Sequence, residues 1–330
     1  MKIILAPMEG VIEHHMRQAL TRIGGYDACV TEFLRITDQR LPDRVFKRVS
    51  PELERHGRTA AGVPVILQLL GGDAEMMAVN AQRAVHLGAP AIDINFGCPS
   101  RFVNRKMGGS VLLREPERVH AIAAAVRQAV DSGIPVTAKM RLGYDDASLA
   151  LDNALAIESA GAAELTVHAR TKVDGYAPPA HWEALAPLRE ALRIPIIANG
   201  DIRSLDDYRR CVAVSGCVDV MLGRGALINP GLARQIKQSH HAGLIEPMGW
   251  CDIRSLILSL SEHMEQQYPQ KTVVMRVKQW LGMLRKHHPL GQTVFDEIRR
   301  MKVLAEIKDV LSSIGEGDVN HQGVTTADGQ

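Results

Sequence analysis

Short runs of β-branched and other apolar residues recur along roughly the first 230 residues, each followed by a stretch with helical spacing. The pattern predicts strands at Ile3 to Ala6, Cys29 to Thr31, Val65 to Leu69, Ile92 to Asn95, Val136 to Arg141, Glu164 to His168, Ile196 to Asn199 and Asp219 to Leu222. Helix signals fall between them. Asn80 to Leu87 ends at Gly88, Pro116 stands where a helix begins, and Leu151 to Ala160 ends at Gly161. Eight βα units in a chain of this length predict an α/β fold, a TIM (β/α)8 barrel.

The segment between Thr31 and Val65 is long and is interrupted by Leu41-Pro42-Asp43-Arg44, so an excursion over the barrel mouth is expected there. Past Ala233 the pattern changes. Residues 239–250, rich in Gly, Pro and His, read as a linker after a barrel domain of residues 1–238. Apolar residues at helical spacing in Ile253 to Met264, Val273 to Leu284 and Val294 to Leu304 then predict a small helical domain, residues 251–314, of three or four helices. Residues 315–330 are polar and without periodicity, which predicts a disordered tail.

Composition narrows the class. With 330 residues, 46% hydrophobic and 23% charged, the chain can bury a large core, and a net charge of +2 leaves any polyanion to be met by a local patch. The five cysteines, Cys29, Cys98, Cys211, Cys217 and Cys251, are scattered and lack C-x-x-C spacing, so neither a disulfide framework nor a metal site is expected. The N-terminus enters a strand within a few residues, which leaves no room for a signal peptide, and no apolar run is long enough for a membrane helix. A soluble, cytoplasmic monomer is the expectation.

Barrel active sites are built at strand C-termini, and there the predicted strands carry polar residues. The first is followed by Pro7-Met8-Glu9-Gly10, the third ends at Gln68, the fourth at Asn95 with Cys98 beyond it. The fifth carries Lys139 and Arg141, the sixth ends at His168 with Arg170 following, the seventh at Asn199-Gly200-Asp201, the eighth at Gly223-Arg224-Gly225. Glycine-rich loops after the last two strands suit a phosphate, with Arg224 as a forked cation. Lys139 suits either a flavin, whose reduced form is anionic, or Schiff-base chemistry. Cys98 is a candidate acid, nucleophile or inert packing thiol; the glycine-containing run Asn104 to Ser110 after it reads as a mobile lid.

These residues resemble the motifs of the flavin-dependent tRNA-dihydrouridine synthases, in that family's order: Ala6-Pro7-Met8-Glu9-Gly10-Val11, Gln68-Leu69, Asp93-Ile94-Asn95-Phe96-Gly97-Cys98-Pro99, Lys139-Met140-Arg141-Leu142-Gly143, His168-Ala169-Arg170-Thr171, Ala198-Asn199-Gly200-Asp201-Ile202 and Gly223-Arg224-Gly225-Ala226. Phe96 stands where the family commonly has a cysteine before its Gly-Cys-Pro. The early first strand, Thr31-Glu32-Phe33-Leu34-Arg35 and Arg276-Val277-Lys278-Gln279-Trp280-Leu281 are most similar to the bacterial subgroup acting on uridine 16 of the tRNA D-loop.

The resemblance implies FMN held by Pro7, Met8, Glu9, Gln68, Lys139, His168, Asn199, Gly200, Asp201, Gly223 and Arg224. NADPH, or NADH, would reduce it. Hydride would pass from flavin N5 to C6 of uracil and a proton from Cys98 to C5, with Asn95 and Arg141 at the uracil edge and flanking phosphate. No G-x-G-x-x-G follows a strand, so the nicotinamide is expected to visit the same flavin face as the substrate. The tRNA would meet Arg35, Lys172 and a basic patch containing Arg276, Lys278 and Arg299, a run that read alone is a solvated face. Two other readings stand beside this one: a Schiff-base lyase using Lys139 and a non-catalytic tRNA-binding protein.

Overall fold

In the computed structural model, which describes residues 1–241 and 244–314, the chain divides into two compact units. One holds Met1–Ala226 and the helix Leu232–Gln238, the other Leu227–Gly231 and the helices from Trp250 onward.

The first unit is a TIM barrel. Its strands are β1 (Ile3–Leu5), β2 (Ala28–Val30), β3 (Leu34–Arg35), β4 (Val65–Leu70), β5 (Ile92–Phe96), β6 (Val136–Gly143), β7 (Leu165–Thr171), β8 (Ile196–Asn199) and β9 (Val220–Leu222). Parallel pairing runs β1–β2, β2–β4, then in order to β9, and β9 returns to β1, which closes eight strands into a ring. Closure leaves no sheet edge, and nearly every strand position is buried, as parallel strands covered by helices require. All eight predicted strands are present.

The ninth, β3, was not predicted; its two residues are too few for a periodicity signal. It pairs Leu34 with Leu69 and Arg35 with Leu70, extending the sheet past the mouth end of β4. The excursion behind it forms the helix Asp43–Val49, whose Asp43 pairs with Arg83. Arg83 lies on a helix longer than the Asn80 to Leu87 expected: it runs Ala74–His86, started by Asp73, which accepts a hydrogen bond from the Met76 N–H. The helix Leu205–Ser215 opens on a reciprocal capping box between Ser204 and Asp207.

The second unit has four helices, Trp250–Glu265, Gln270–Leu284, Pro289–Ile298 and Leu304–Ser313. The stretch read as one helix from Val294 to Leu304 is two: the first ends at Ile298, and the second starts at Leu304, where the main-chain N–H donates to Gln270 Oε1 at 2.9 Å. Trp250 and Trp280 are fully buried, their indole N–H groups donating to the carbonyls of Ile314 and Leu227. The expected tail, 315–330, lies outside the described residues, as do 242–243 of the expected linker. Among the described residues no helix is long and apolar enough to cross a membrane.

Candidate active site

Alternate residues of a barrel strand point inward, and here the inward positions turn from apolar to polar toward the strand C-termini. Ile66 gives way to Gln68, Ala91 to Asp93 and Asn95, Ile197 to Asn199, and on β6 Thr137 is followed by Lys139 and Arg141. Register sets Asn95 beside Lys139, Arg141 beside His168, and His168 beside Asn199. The apolar floor, with Ile4, Val30, Ile66, Ile197 and Met221, is a continuous cluster. The polar rim above it is the candidate site.

Cys98 sits in a turn held from both sides. Asn95 Oδ1 accepts the N–H groups of Gly97 and Cys98, each at 2.9 Å, an Asx-type turn. The Cys98 carbonyl accepts the Ser110 N–H at 3.1 Å, the Ser110 hydroxyl at 2.8 Å and the Asn104 amide at 3.3 Å. Gly109, at φ +67°, lies against this carbonyl, and a Cβ there would stand 2.8 Å from it. Thus the run after Cys98, expected to be a mobile lid, is knotted instead: Asn104 and Ser110 are buried and bonded to the turn and to each other. The thiol is half-buried, and burial pushes its pKa up, which keeps it protonated at neutral pH. Cys29, Cys211 and Cys217 are buried, and Cys251 is exposed on the helical unit.

Arg141, expected at the substrate, is fully buried and braces this turn. Its Nε donates to the Gly97 carbonyl at 2.8 Å and its Nη1 to those of Thr171 and Gly175 at 2.8 and 2.9 Å. Gln68, expected at the cofactor, is also fully buried, donating to Asp93 and accepting from Asn95. Asn95 therefore shapes the turn through both ends of its amide.

The opposite part of the rim is built from charge. Asp201, at φ +52°, pairs with Arg170, with Arg203 at 2.7 Å and with Arg224 at 3.3 Å. Arg170, fully buried, also donates to the Ala177 carbonyl at 2.6 Å and approaches His168 Nε2 at 3.2 Å. A guanidinium only donates, so Nε2 accepts and the neutral ring carries its proton on Nδ1. Burial, then the surrounding cations Lys139, Arg141, Arg170 and Arg224, drive the His168 pKa far down. Gly200, at φ +120°, packs against this ring, where a Cβ would come within 3.1 Å of Cδ2; its carbonyl accepts the Trp182 indole N–H. Asn199 donates to the Met221 carbonyl at 2.8 Å.

Lys139 is half-buried, and among the described residues its Nζ has no hydrogen-bond or ion-pair partner. Burial, reinforced by Arg141, pulls its pKa down to about 8. Pro7 and Met8, past the end of β1, are half-buried, Met8 Sδ lying 3.4 Å from the position of a Cβ on Gly223, while Glu9 is exposed. Farther out, Arg35 stacks on exposed Phe102 and Lys172 lies over Tyr144. A cavity of about 520 Å³ opens between Arg35, Leu70, Gly72 and Lys106; neither Cys98 nor Lys139 lines it.

In the helical unit, Arg276 bonds Gln279, and Arg299 lies 4.0 Å from Asp296. Lys278 donates to the Arg299 and Met301 carbonyls and so caps the helix that ends at Ile298. One group of three metal-competent side chains exists among the described residues: Glu13, His14 and His15, with ligand atoms within 4.8 Å of one another. Glu13 there is the N-cap of the helix His14–Ile23, accepting the His15 N–H.

Sequence reasoning missed three contributors. Arg170 was noted but given no role, although an inward position two residues past His168 is a usable signal. Asp93 was read only as part of a motif. Tyr176 had no signal at all: it is an exposed loop residue whose ring lies 6.0 Å from His168 and beneath the Arg141 and Arg224 guanidinium groups.

A sequence model of the dihydrouridine synthase (Dus) family matches residues 4–314. The chain is 48% identical over 311 residues to the tRNA-dihydrouridine(16) synthase of Pseudomonas putida, covering 94% of this chain and 96% of that one. It is 49% identical over 316 residues to the enzyme of the same name from Shewanella oneidensis, covering 94% and 97%. Among solved structures the barrel is similar to histamine dehydrogenase from Rhizobium sp. 4-9 (TM-score 0.54, 15% identity, 72% of this chain and 46% of that one). It is also similar to 2-naphthoyl-CoA reductase (TM-score 0.55, 13% identity, 72% and 50%). The chain thus spans about half of each of those structures, and the likeness is one of fold. With a full-length family match and near-full-length relatives at almost half identity, this chain belongs to the dihydrouridine synthase family of oxidoreductases.

Proposed function

We propose that this enzyme reduces the C5=C6 bond of uridine 16 in the tRNA D-loop to 5,6-dihydrouridine, with FMN as bound cofactor and NADPH as reductant. The observation that carries the reaction is a half-buried thiol kept protonated at the barrel mouth, on the same rim as the arginine cluster gathered at Asp201. The relatives' names supply the base and its position.

The residues fit a flavin mononucleotide. Lys139, a half-buried cation with no partner among the described residues, suits the electron-rich pyrimidine edge of the flavin. The Arg203 and Arg224 guanidinium groups, set by Asp201, and the glycine-containing loops at Gly200 and Gly223 suit a phosphate. His168, neutral and protonated at Nδ1, adds a hydrogen-bond donor rather than another charge. Pro7, Met8, Gln68 and Asn199 complete the strand-end ring that would enclose the cofactor, with Glu9 at its exposed outer edge. When bound and reduced, FMN supplies a hydride to C6 of the uracil.

Addition at C6 leaves electron density on C5 and the C4 carbonyl, and C5 then needs a proton. Cys98 supplies it. A general acid has to be protonated at working pH, which the raised pKa of this thiol secures. Arg141 and Asn95 hold the turn that presents it. Because the target base cannot reach a barrel mouth from within its stack, the nucleotide is extruded first. Arg35 and Lys172 at the mouth, with Arg276 and Arg299 on the helical unit, then meet the phosphates and sugars of the surrounding RNA.

The test has two arms. Purified protein should carry, or take up, a chromophore absorbing near about 450 nm that NADPH bleaches. Transfer RNA from a strain deleted for this gene should lack dihydrouridine at position 16 and regain it on complementation. A colourless protein that cannot be reconstituted with FMN, or a position 16 that is unaffected, sinks the proposal.

A further inference from the structure

We infer that Asp93 is a positioning residue for Cys98, acting through a one-way relay of side-chain amides across two strands. Asp93 is 2% exposed and its carboxylate accepts two hydrogen bonds, from Thr137 Oγ1 at 2.5 Å and from Gln68 Nε2 at 2.7 Å. The other end of the Gln68 amide, Oε1, accepts from Asn95 Nδ2 at 2.8 Å, and Asn95 Oδ1 accepts from the Gly97 and Cys98 N–H groups. Gln68 is 0% exposed and Asn95 9% exposed, so water does not stand in for a lost partner.

The direction of every bond is fixed from both ends. Main-chain N–H groups can only donate, so Asn95 has to turn its oxygen to the Cys98 turn and its NH2 to Gln68. Gln68 then has to turn its oxygen to Asn95 and its NH2 outward, where only an acceptor satisfies it. An ionised carboxylate at position 93 is the acceptor-only group that closes the chain, and hydrogen bonds to it are charge-assisted. Without it, a flipped Gln68 amide would face NH2 against NH2 at Asn95 and weaken the turn that aims the thiol. The carbonyl side of Cys98 is tied separately, by Ser110 and Asn104, so the relay governs the N–H side alone.

This role rests on the reading of Cys98 as proton donor, and its test separates the two. In the Cys251→Ser background Cys98 is the one cysteine that is not buried, and its alkylation by iodoacetamide in the FMN-loaded enzyme reports thiol placement without any turnover. Asp93→Leu should raise the alkylation rate about tenfold and lower uridine reduction about thirtyfold, while NADPH-driven bleaching of the flavin changes less than about twofold. Asp93→Asn retains an acceptor oxygen for Gln68 and can donate to Thr137, so it should rescue both readouts to within about threefold of wild type. Gln68→Met, similar in length, can neither donate to Asp93 nor accept well from Asn95, and should raise the Cys98 alkylation rate as Asp93→Leu does.

A purely structural Asp93 predicts instead that Asp93→Leu and Asp93→Asn lose thermal stability with no change in Cys98 alkylation; that result overturns the relay. If Asp93→Leu does not fold, Gln68→Met decides: an alkylation rate equal to wild type overturns the relay equally. A wild-type enzyme that forms no dihydrouridine, with the alkylation order intact, leaves the relay standing and removes the proton-donor reading alone.

Discussion

The two halves of the barrel rim solve opposite problems with different chemistry. Around Cys98 the turn is wired by neutral amides, a hydroxyl and main-chain groups, with Arg141 bracing it from behind and the opposed charges of Glu9 and Lys139 acting on the thiol without bonding it. Around Asp201 three guanidinium groups crowd one carboxylate, and the neutral His168 sits among cations. A proton donor needs a fixed direction and a weakly polar surrounding that leaves its proton in place. An anion site needs surplus positive charge. The difference teaches that the thiol stays neutral through burial among neutral hydrogen-bonding groups, with nearby charges of both signs, whereas cations are accumulated where a phosphate has to stay put.

The comparison breaks first at Cys98. Cys98→Ala should lower dihydrouridine formation about 10²- to 10⁴-fold while FMN binding and bleaching by NADPH persist, because a general acid supplies that much and little else is lost. Full activity in single-turnover assays with tRNA would refute the donor role. Asp201→Ala attacks the other half. It leaves the fully buried Arg170 without its carboxylate, which costs about 3 kcal/mol, read as a lower thermal unfolding midpoint and lost FMN retention. Retained stability and flavin would mean that the arginine cluster is ornamental.

The pH dependence distinguishes the halves more finely. Lys139, with its pKa pulled down to about 8, loses its charge as pH rises through that value, whereas Cys98, pushed up, keeps its proton beyond the ordinary thiol range near about 8.5. FMN affinity should therefore weaken as pH rises above 8, by up to about tenfold per unit, because the empty site loses its cation, and Lys139→Arg should remove that dependence. Folding stability of the FMN-free protein moves the other way. A lysine whose folded pKa is lowered makes the unfolded chain the better proton binder between about 8 and the unperturbed lysine value, so stability rises with pH across that window. A dependence that survives Lys139→Arg would remove Lys139 from the flavin site.

Much of this rim could be read from the chain, for a physical reason. Buried parallel strands leave apolar runs, and polar residues at their ends stand out, which is how Cys98, Lys139, His168 and Asn199 were placed. What could not be read is which polar group faces which. Arg141 and Lys139 are two inward residues of one strand, yet Arg141 closes on main-chain carbonyls while Lys139 is left without a partner among the described residues. Spacing is identical for both; only the loops over them differ. The same limit hid β3, too short for a pattern, and the break before Leu304, where neither Gly nor Pro marks the chain.

The smallest effects lie on the helical unit, where the basic run resolves into cations of two kinds. Lys278 donates to the carbonyls of Arg299 and Met301, just past the end of the helix Pro289–Ile298, so Lys278→Ala should cost about 1 kcal/mol of stability and leave the salt dependence of tRNA binding nearly unchanged. Arg276 donates to the exposed Gln279. Arg276→Ala should spare stability and reduce the slope of log affinity against log salt by about one. Sequence alone gives these neighbours one role, as members of a patch; their hydrogen bonds give them two. Equal slopes for both variants would restore the single patch, and an unchanged slope for Arg276→Ala would return the run to a solvated face.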